Sequence, residues 1–554
     1  MIKHELKILF LILVLATFLR FWGLGTTPPH LTSDEAALGY NAYSILKTAR
    51  DEHGNLLPIV FKSFGDWKPG LYVYLDAPFV GLFGLNEMAV RLPGAISGIA
   101  AVFFVYLVGN RLFPEKKLGL FSSFFLAISP WHLQFSRGAW EAGVALTLIL
   151  AGIYFFLRAI QGNSRWLWLS ASFFALTLWA YQGGKLSVAI VIAGLSIFFF
   201  SELIKVPRKV LMLAFLAGFI FSLPVALSFF QGKTGRLEVY SVFSYQRPEK
   251  DIKEILDQES AVKGSLSYVL FHSENLNLAR GVLGRWMNYY SARFLFFEGD
   301  WSNPRHGVPY SGVLLLADSV LLLLGLVALS KAGNSKSALF VWYLLLLSSL
   351  PAALSRDSIH AVRSLNMLFP LVFILALGAS FVVENKKKLK FAFPLLLGLF
   401  FVIYAANYTY YLDQYWVHAP KKNAPNWQVG YKQMVEKVSA LQDKYPEIVI
   451  KQDYAQPYIF FLFYQKYDPD KYQKIAQDVY VPNEYGDVGF VSRLDNITFR
   501  DINWSADRGM SGKLFVVDPI KVPVADSSDP KEFKLVDEIK YPNGQTAFRL
   551  LEIL

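Results

Sequence analysis

TSDE at residues 32–35 and GDWKPGLY at residues 65–72 bound the polar stretch that decides how this chain is built. The stretch directly follows an apolar N-terminal run that is long enough to cross a bilayer as a helix. The adjacent carboxylates of Asp34 and Glu35 and the ammonium group of Lys68 are therefore expected at one face of a membrane. Charged groups at that position are expected to have either a structural or a chemical role.

The composition indicates an integral membrane protein. Of the 554 residues, 54% are hydrophobic and only 18% are charged, and the mean hydropathy is +0.34, which is too apolar for a soluble protein of this length. Many basic residues lie in short loops between apolar runs, so the net charge of +11 indicates topology and predicts no nucleic-acid partner. The lack of cysteine excludes disulfides, thiolate metal sites and a cysteine nucleophile.

About eleven apolar runs are long enough to cross a hydrocarbon core of roughly 30 Å as helices. The predicted spans are residues 6–23, 88–110, 117–134, 141–159, 165–182, 185–204, 208–230, 310–330, 336–354, 362–383 and 390–411. Alternate loops are short and basic, which predicts that they and the N-terminus are cytoplasmic. The expected fold class is a mainly α, multi-pass protein of the plasma membrane.

Three segments are then expected outside the membrane. Residues 24–87 and 231–309 are long outer loops within a membrane module of residues 1–411, and the second is expected to contain amphipathic helices. Residues 412–554 have the composition of a soluble domain.

This C-terminal segment mixes helix and strand patterns. Residues 434–441 have helical spacing, whereas residues 447–451 and 514–517 are typical of strands. An NG pair at residues 543–544 predicts a β-hairpin. We therefore expect a small extracytoplasmic α/β domain whose function these patterns do not specify.

The acidic pair in the first outer loop has two interpretations. Asp34 or Glu35 could deprotonate a hydroxyl, accept hydrogen bonds from a sugar, or bind a divalent metal cation. Alternatively, Ser33 or Asp34 caps the helix that follows. The two interpretations are compatible.

Four basic residues lie near predicted outer helix ends, where each could bind a phosphate: Lys68, Arg91, Arg137 and Arg363. For Lys68 the alternative is a lysine that anchors its helix at the interface. Arg137 and Glu141 are four residues apart, so Glu141 either pairs with Arg137 or joins a substrate site. Candidate substrate contacts in the same outer loops are Tyr72, Arg305, His306 and His360, although His360 is equally compatible with a solvated loop residue.

These charges favour group transfer outside the membrane. The GKT at residues 232–234 lacks the first glycine of a phosphate loop, because Leu227 stands in its place. An external enzyme has no cytoplasmic nucleotide sugar, so its donor must be carried in the membrane. A polyprenyl-phosphate sugar meets this need: a carboxylate takes the acceptor proton while cations or a metal stabilise the departing lipid phosphate.

Five motifs resemble those of the GT-C glycosyltransferases, in the bacterial branch similar to protein O-mannosyltransferases and to lipid A aminoarabinose transferases. They are SDE at 33–35, KPGLY at 68–72, RLPG at 91–94, SP through SR at 129–137, and NPRHG at 303–307. The resemblance covers roughly residues 5–410. It implies a membrane glycosyltransferase with a lipid, glycan or protein acceptor.

The resemblance also implies residue roles. Asp34 would be the catalytic base, Glu35 its acidic neighbour and Lys68 a ligand of the donor phosphate. Gly70 stands where the family usually has a second proline, and Glu141 stands where the second outer loop often carries aspartate. Family members differ in metal use.

Two other functions remain open. A transporter or flippase of lipid-linked sugars would need charged groups near mid-span, whereas the charges here cluster at helix ends. A noncatalytic scaffold that displays the C-terminal segment would leave the outer-loop carboxylates without a shared cavity.

Overall fold

The computed structural model describes residues 2–116, 118–233, 241–244, 246–386, 392–453, 455–482 and 489–554. The other residues include parts of two predicted spans, at 117 and 390–391, and parts of the predicted outer loop 231–309. The described residues form a mainly helical body that carries a six-stranded sheet in its C-terminal part.

Helices α1 to α11 form the first part of the chain. They are α1 (Ile2–Phe21), α2 (Ser33–Thr48), α3 (Leu71–Phe83), α4 (Glu87–Leu112), α5 (Gly119–Ile128), α6 (Pro130–Phe135), α7 (Glu141–Ile160), α8 (Leu167–Ala180), α9 (Gly184–Phe198), α10 (Phe200–Leu203) and α11 (Arg208–Phe230). The next are α12 (Glu249–Gln258), α13 (Glu274–Asn288), α14 (Asp318–Lys331), α15 (Lys336–Leu347), α16 (Leu350–Ala353), α17 (Leu368–Glu384) and α18 (Ala392–Asp413).

Every predicted span overlaps a described helix, but several helices are shorter than predicted. The span predicted at 117–134 is divided between α5 and α6, because Pro130 begins a new helix after Ser129. Among the described residues, six helical segments are long and apolar enough to cross a membrane: Glu87–Leu112, Glu141–Ile160, Arg208–Phe230, Lys336–Ala353, Leu365–Glu384 and Phe393–Lys422. The count of eleven spans stays a prediction.

The apolar helices differ in how much protein covers them. Within their most apolar windows, 72% of the residues of α7 and α17 are buried, against 11% for α11. The window that contains most of α18 is only 6% buried. Helices α7 and α17 therefore form the protein core, whereas α11 and α18 present apolar side chains outward, as lipid-facing helices do.

The first outer loop is built by one cap and one hairpin. Thr32 caps α2: its hydroxyl accepts from the backbone N–H of Glu35, whose carboxylate accepts from the Thr32 N–H. The cap therefore lies one residue before Ser33 and two before Asp34, the two residues predicted for it. Strands β1 (Val60–Ser63) and β2 (Asp66–Pro69) pair antiparallel through a two-residue turn with positive φ at both residues.

Helices α12 and α13 confirm the expectation of helices in the second outer loop. No residue of α13 is fully buried, and apolar side chains such as Leu283 and Met287 are exposed on it. That these helices lie at the membrane interface stays a prediction.

The C-terminal part contains helices α19 (Ala419–Lys422), α20 (Tyr431–Leu441), α21 (Pro457–Tyr464), α22 (Pro469–Ile475) and α23 (Trp504–Asp507). Its strands are β3 (Ile448–Lys451), β4 (Tyr480–Pro482), β5 (Gly489–Val491), β6 (Arg493–Leu494), β7 (Ile497–Arg500), β8 (Leu514–Val517), β9 (Phe533–Lys540) and β10 (Thr546–Ile553). The main sheet has the order β6-β7-β3-β8-β10-β9, with β3 parallel to both neighbours. The two predicted strands, the predicted helix and the NG hairpin between β9 and β10 are present.

The C-terminal part packs directly on the first outer loop. Apolar residues of α2, α3, α20, α21 and the sheet belong to one hydrophobic cluster. Helix α2 lies so close to α4 and α21 that a Cβ on Gly39 would come within 2.5 Å of Val90 and 2.7 Å of Phe463. A glycine is therefore needed at this crossing. The contact fixes the outer loop against the C-terminal part and leaves a cavity beside it.

Candidate active site

A cavity of about 1130 Å³ lies where four parts of the chain meet. Its lining comes from both ends of the first outer loop, from the start of α7, from residues 302–305 and from the C-terminal part. The predicted site residues that line it are Asp34, Glu35, Lys68, Glu141 and Arg305. The structure thus brings together five candidates that are up to 271 positions apart in the sequence.

Asp34 and Lys68 form an ion pair in the cavity wall. Asp34 lies in the first turn of α2, and the β1–β2 hairpin carries Lys68 to it from the other side. Burial by itself would lower the pKa of Lys68, but the carboxylates of Asp34, Glu141 and Asp66 raise it above its usual value. Lys68 is therefore a stable cation at neutral pH, and Asp34, whose side chain is 46% exposed, remains open to the cavity.

Glu141 is the first residue of α7 and lies beside this pair. It shares the lining of both the large cavity and a smaller pocket with Asp34 and Lys68. Among the described residues, its buried Oε1 has no hydrogen-bond partner. An unsatisfied carboxylate oxygen at a cavity wall can accept a hydrogen bond from a hydroxyl group.

The carboxylate of Glu35 is fully hydrogen-bonded within the protein. Both carboxylate oxygens are bonded to Arg91, at 3.1 Å from Nε and 3.4 Å from Nη2, and they also accept from the N–H groups of Ala139 and Thr32. Arg91 donates further to the carbonyls of Leu24, Pro28 and His30. Glu35 is 3% exposed and Arg91 is fully buried. These contacts support the loop, and Arg91 is not part of the cavity lining. The geometry therefore does not favour the catalytic role of Glu35 or the phosphate contact of Arg91, and both stay predictions.

Arg137 and Tyr72 are also held by bonds within the protein, and their predicted roles stay predictions. Arg137 is fully buried, donates to the carbonyls of Leu19, Trp22 and Thr27, and bonds the Tyr415 hydroxyl. The ion pair considered for Arg137 and Glu141 is thus replaced by bonds to the N-terminal segment. The buried Tyr72 hydroxyl donates to the Val90 carbonyl and accepts from the Gly94 N–H. Neither side chain is available to a substrate.

The other candidates belong to a neighbouring cluster. Arg305 lines the cavity, with its guanidinium 5.9 Å from the centre of the Trp140 ring. His306 is buried behind that wall, and its Nδ1 lies 2.9 Å from Asp300 Oδ2. His360 packs on His306, with ring centres 4.9 Å apart, and Arg363 is ion-paired with Asp357 at 2.5 Å. His360 is thus not a solvated loop residue, and Arg363 has found the partner that its position required.

The residues do not fit a divalent cation between Asp34 and Glu35. The ammonium of Lys68 contacts the Asp34 carboxylate, and four N–H groups already occupy the oxygens of Glu35. A cation there would have to displace Lys68 and would find no open oxygen on Glu35.

Local contacts explain why position 70, one of the two departures from the family pattern, is a glycine. Its N–H donates to the Ile59 carbonyl at 2.9 Å, a bond that proline cannot make. A Cβ at this position would also come within 2.3 Å of the Phe61 ring. The packing of β1 against the lysine motif therefore requires glycine here.

The cavity wall that faces Asp34 was missed by sequence reasoning. It comes from the C-terminal part and includes Gln428, Tyr431, Asp453, Gln456, Asp518 and Thr546. One direct tie is the bond from the Ser33 N–H to Gln428 Oε1, at 2.6 Å across 395 positions. No sequence pattern signals such a pairing, because these residues lie in ordinary loop, strand and helix-end positions.

Comparison with known sequences gives partial matches. Residues 68–227 match the family described as dolichyl-phosphate-mannose-protein mannosyltransferase. YkcB of Bacillus subtilis strain 168, provisionally named a mannosyltransferase, is 24% identical over 178 residues. This match spans 31% of the present chain and only 24% of that relative's length.

Comparison with solved structures covers nearly the whole chain. ArnT from Cupriavidus metallidurans bound to undecaprenyl phosphate matches with a TM-score of 0.53 and 12% identity, over 98% of this chain and 97% of that one. The Archaeoglobus fulgidus oligosaccharyltransferase tethered to an acceptor peptide matches with a TM-score of 0.52 and 14% identity, over 98% and 73%. The resemblance stated from the sequence is thereby confirmed for the fold, which the chain shares with these GT-C glycosyltransferase structures.

Proposed function

We propose that the protein is an integral-membrane glycosyltransferase that moves a sugar from a polyprenyl-phosphate donor to a hydroxyl group of a lipid, glycan or protein acceptor at the outer face of the membrane. The observation that carries this proposal is the Asp34–Lys68 pair in the wall of the large cavity, with Glu141 beside it. One site thus offers a base for an acceptor proton and a cation for a departing phosphate.

The proposed reaction is a displacement at the anomeric carbon. The acceptor oxygen forms a bond to that carbon and gives its proton to the Asp34 carboxylate. The bond from the carbon to the phosphate oxygen breaks, and the departing lipid phosphate keeps the electron pair. Lys68 stabilises this phosphate, and the unpaired Oε1 of Glu141 orients a sugar or acceptor hydroxyl. Arg305 is a second candidate contact for the donor.

In this proposal, donor binding changes the partner of Lys68. Before binding, the ammonium neutralises Asp34. A donor phosphate that takes up Lys68 would free the Asp34 carboxylate to accept the acceptor proton. The base is then released only when a donor is present, which limits reaction with water.

Two comparisons support the lipid-phosphate donor. The ArnT structure, which shares the fold along the full chain, holds undecaprenyl phosphate. The matched family is described by a dolichyl-phosphate-linked mannose, and its matched segment here begins at Lys68. Both favour a polyprenyl-phosphate hexose or pentose over a nucleotide sugar. The transporter alternative finds no specific support, since the paired charges face the cavity.

The direct test uses purified protein and labelled undecaprenyl-phosphate sugars, with the labelled product identified. We expect Lys68→Met to weaken binding of undecaprenyl phosphate by about 10- to 100-fold, because a hydrogen bond to a charged group contributes about 1.5–3 kcal/mol. Lys437→Met is the matched control, since Lys437 is also paired with an aspartate but lies outside the cavity lining. Equal binding by wild type and Lys68→Met would contradict the assigned role of Lys68.

The proposed topology has eleven spans, a cytoplasmic N-terminus and an external C-terminal domain at residues 412–554. Because the chain has no cysteine, single cysteines can report each side. Ser528→Cys, at an exposed C-terminal position, should react with a membrane-impermeant maleimide in sealed right-side-out vesicles. Asn334→Cys, exposed between the predicted spans 310–330 and 336–354 in a loop predicted to be cytoplasmic, should react only after permeabilisation. The reverse pattern would place Asp34 in the cytoplasm and remove the proposed chemistry.

A further inference from the structure

A second polar cluster lies directly behind the cavity wall. It contains Asp300, His306 and His360, whose candidate ligand atoms all lie within 4.8 Å of one another. Within the described part of the chain, no other three histidine, aspartate or glutamate side chains meet that condition. The proposed reaction uses none of their side chains.

The distances suit a small metal ion. His306 Nδ1 and Asp300 Oδ2 are 2.9 Å apart, and the His306 and His360 rings lie side by side. Two ligands of a tetrahedral ion at about 2.0 Å are separated by roughly 3.3 Å, so the atoms need to move only slightly. Asp300 and His306 are each only 3% exposed, which makes this a built interior cluster and not a surface group of acids.

Surrounding hydrogen bonds hold the ligands in place. Asp300 Oδ1 accepts from the backbone and side-chain N–H groups of Asn303, both at 3.0 Å. The Ala361 N–H donates to Asp300 Oδ2 at 2.8 Å, and the His360 N–H donates to the Tyr289 hydroxyl at 3.0 Å. Such outer hydrogen bonds orient metal ligands in known sites. They also join residues 300–306 to the loop that carries His360.

Two imidazoles and one carboxylate supply the candidate ligand atoms. Neutral imidazoles with one carboxylate are a donor set that suits Zn²⁺, whereas Mg²⁺ and Ca²⁺ prefer oxygen ligands.

We propose that Asp300, His306 and His360 bind one divalent transition-metal ion of the zinc class. The ion takes the place of the proton between His306 and Asp300, and its fourth position remains for water or another oxygen. The metal site would position the cavity wall and would not act on the substrate. The His306 ring lies 5.3 Å from the Trp140 ring, and Trp140 and Arg305 line the cavity. The metal would fix this wall whether or not the protein transfers sugar.

Metal content of the full-length protein in detergent tests the proposal. The protein is stripped with a chelator, incubated with excess ZnCl₂ and desalted, and zinc is counted by mass spectrometry. We expect about one Zn²⁺ per chain for wild type, a higher unfolding temperature with zinc than with chelator, and at least tenfold weaker binding for His306→Gln and His360→Gln. His272→Gln is the control, because His272 is paired with Glu259 and lies outside the Asp300–His306–His360 cluster.

Wild-type protein that retains no more zinc than the His306→Gln/His360→Gln double variant would overturn the proposal. If the variants fail to fold, Co²⁺ added to stripped wild-type protein gives an independent result. Strong visible absorption from a four-coordinate ion supports the site, whereas the weak spectrum of hydrated Co²⁺ contradicts it.

Discussion

Replacing Asp34 by asparagine is expected to lower the rate of sugar transfer by about 10²- to 10⁴-fold, the usual contribution of a general base. Asparagine retains the size of the side chain but cannot take the acceptor proton. The substitution should lower kcat and change KM for the acceptor little, because the lost interaction is made only while the proton is transferred in the transition state. The measurement is initial rate against acceptor concentration at saturating labelled donor.

The fold should survive this change. The Asp34 side chain is 46% exposed and that of Lys68 is 23% exposed, and such partly solvated pairs contribute about 0–1 kcal/mol. Asp537→Asn is the matched control, because Asp537 also pairs with a lysine, is 36% exposed and lies outside the cavity lining. An Asp34→Asn protein with wild-type kcat would remove Asp34 from the reaction and leave Glu141 as the carboxylate to test.

Replacing Arg91 by methionine is expected to destabilise the protein by about 3–5 kcal/mol. The change leaves the Glu35 carboxylate buried without its counter-ion, and it leaves the carbonyls of Leu24, Pro28 and His30 without their donor. The measurement is the thermal unfolding midpoint, followed by the fluorescence of the 13 tryptophans. Arg111→Met on the same helix is the control, with an expected effect within about 0.5 kcal/mol, because Arg111 makes a partly exposed contact with Gln161.

A double variant distinguishes a structural role of Glu35 from a catalytic one. Glu35→Gln/Arg91→Met removes both charges, so it should recover part of the stability lost in Arg91→Met. Glu35→Gln alone should lower the unfolding midpoint and affect activity only through that loss. If Glu35→Gln kept the wild-type midpoint yet lost transfer activity, the supporting role would be wrong and the role implied by the resemblance would stand.

The long apolar helices and some of the strands could be predicted because their signals are local, whereas helix α3 and the β1–β2 hairpin were not predicted. Apolar runs of about 20 residues marked the helices, and the NG pair marked the β9–β10 hairpin. The points where a helix ends within an apolar run were harder to predict, although Ser129 as a helix cap followed by Pro130 is a recognised start signal for a new helix. Helix ends inside a continuous apolar run depend on packing with neighbours, which residue types alone do not report.

The site was predicted in part. Asp34, Lys68 and Glu141 line one cavity, as expected for motifs that were predicted to lie at one face of the membrane. Arg91 and Arg137 have the same sequence signature, a cation at a helix end, yet both point into protein carbonyls. Composition cannot tell a cation that faces a cavity from one that ties down a loop.

The sequence alone therefore determined that this chain is a mainly helical membrane protein with acids and a lysine grouped at one face, because hydropathy and helix length are properties of single segments. Only the tertiary structure decided which charges are free to act. That choice depends on what surrounds each group. Glu35 is enclosed by Arg91 and backbone N–H groups, whereas Asp34 is open to the cavity. Part of the cavity wall, at Gln428 and Asp453, comes from about 400 residues further along the chain.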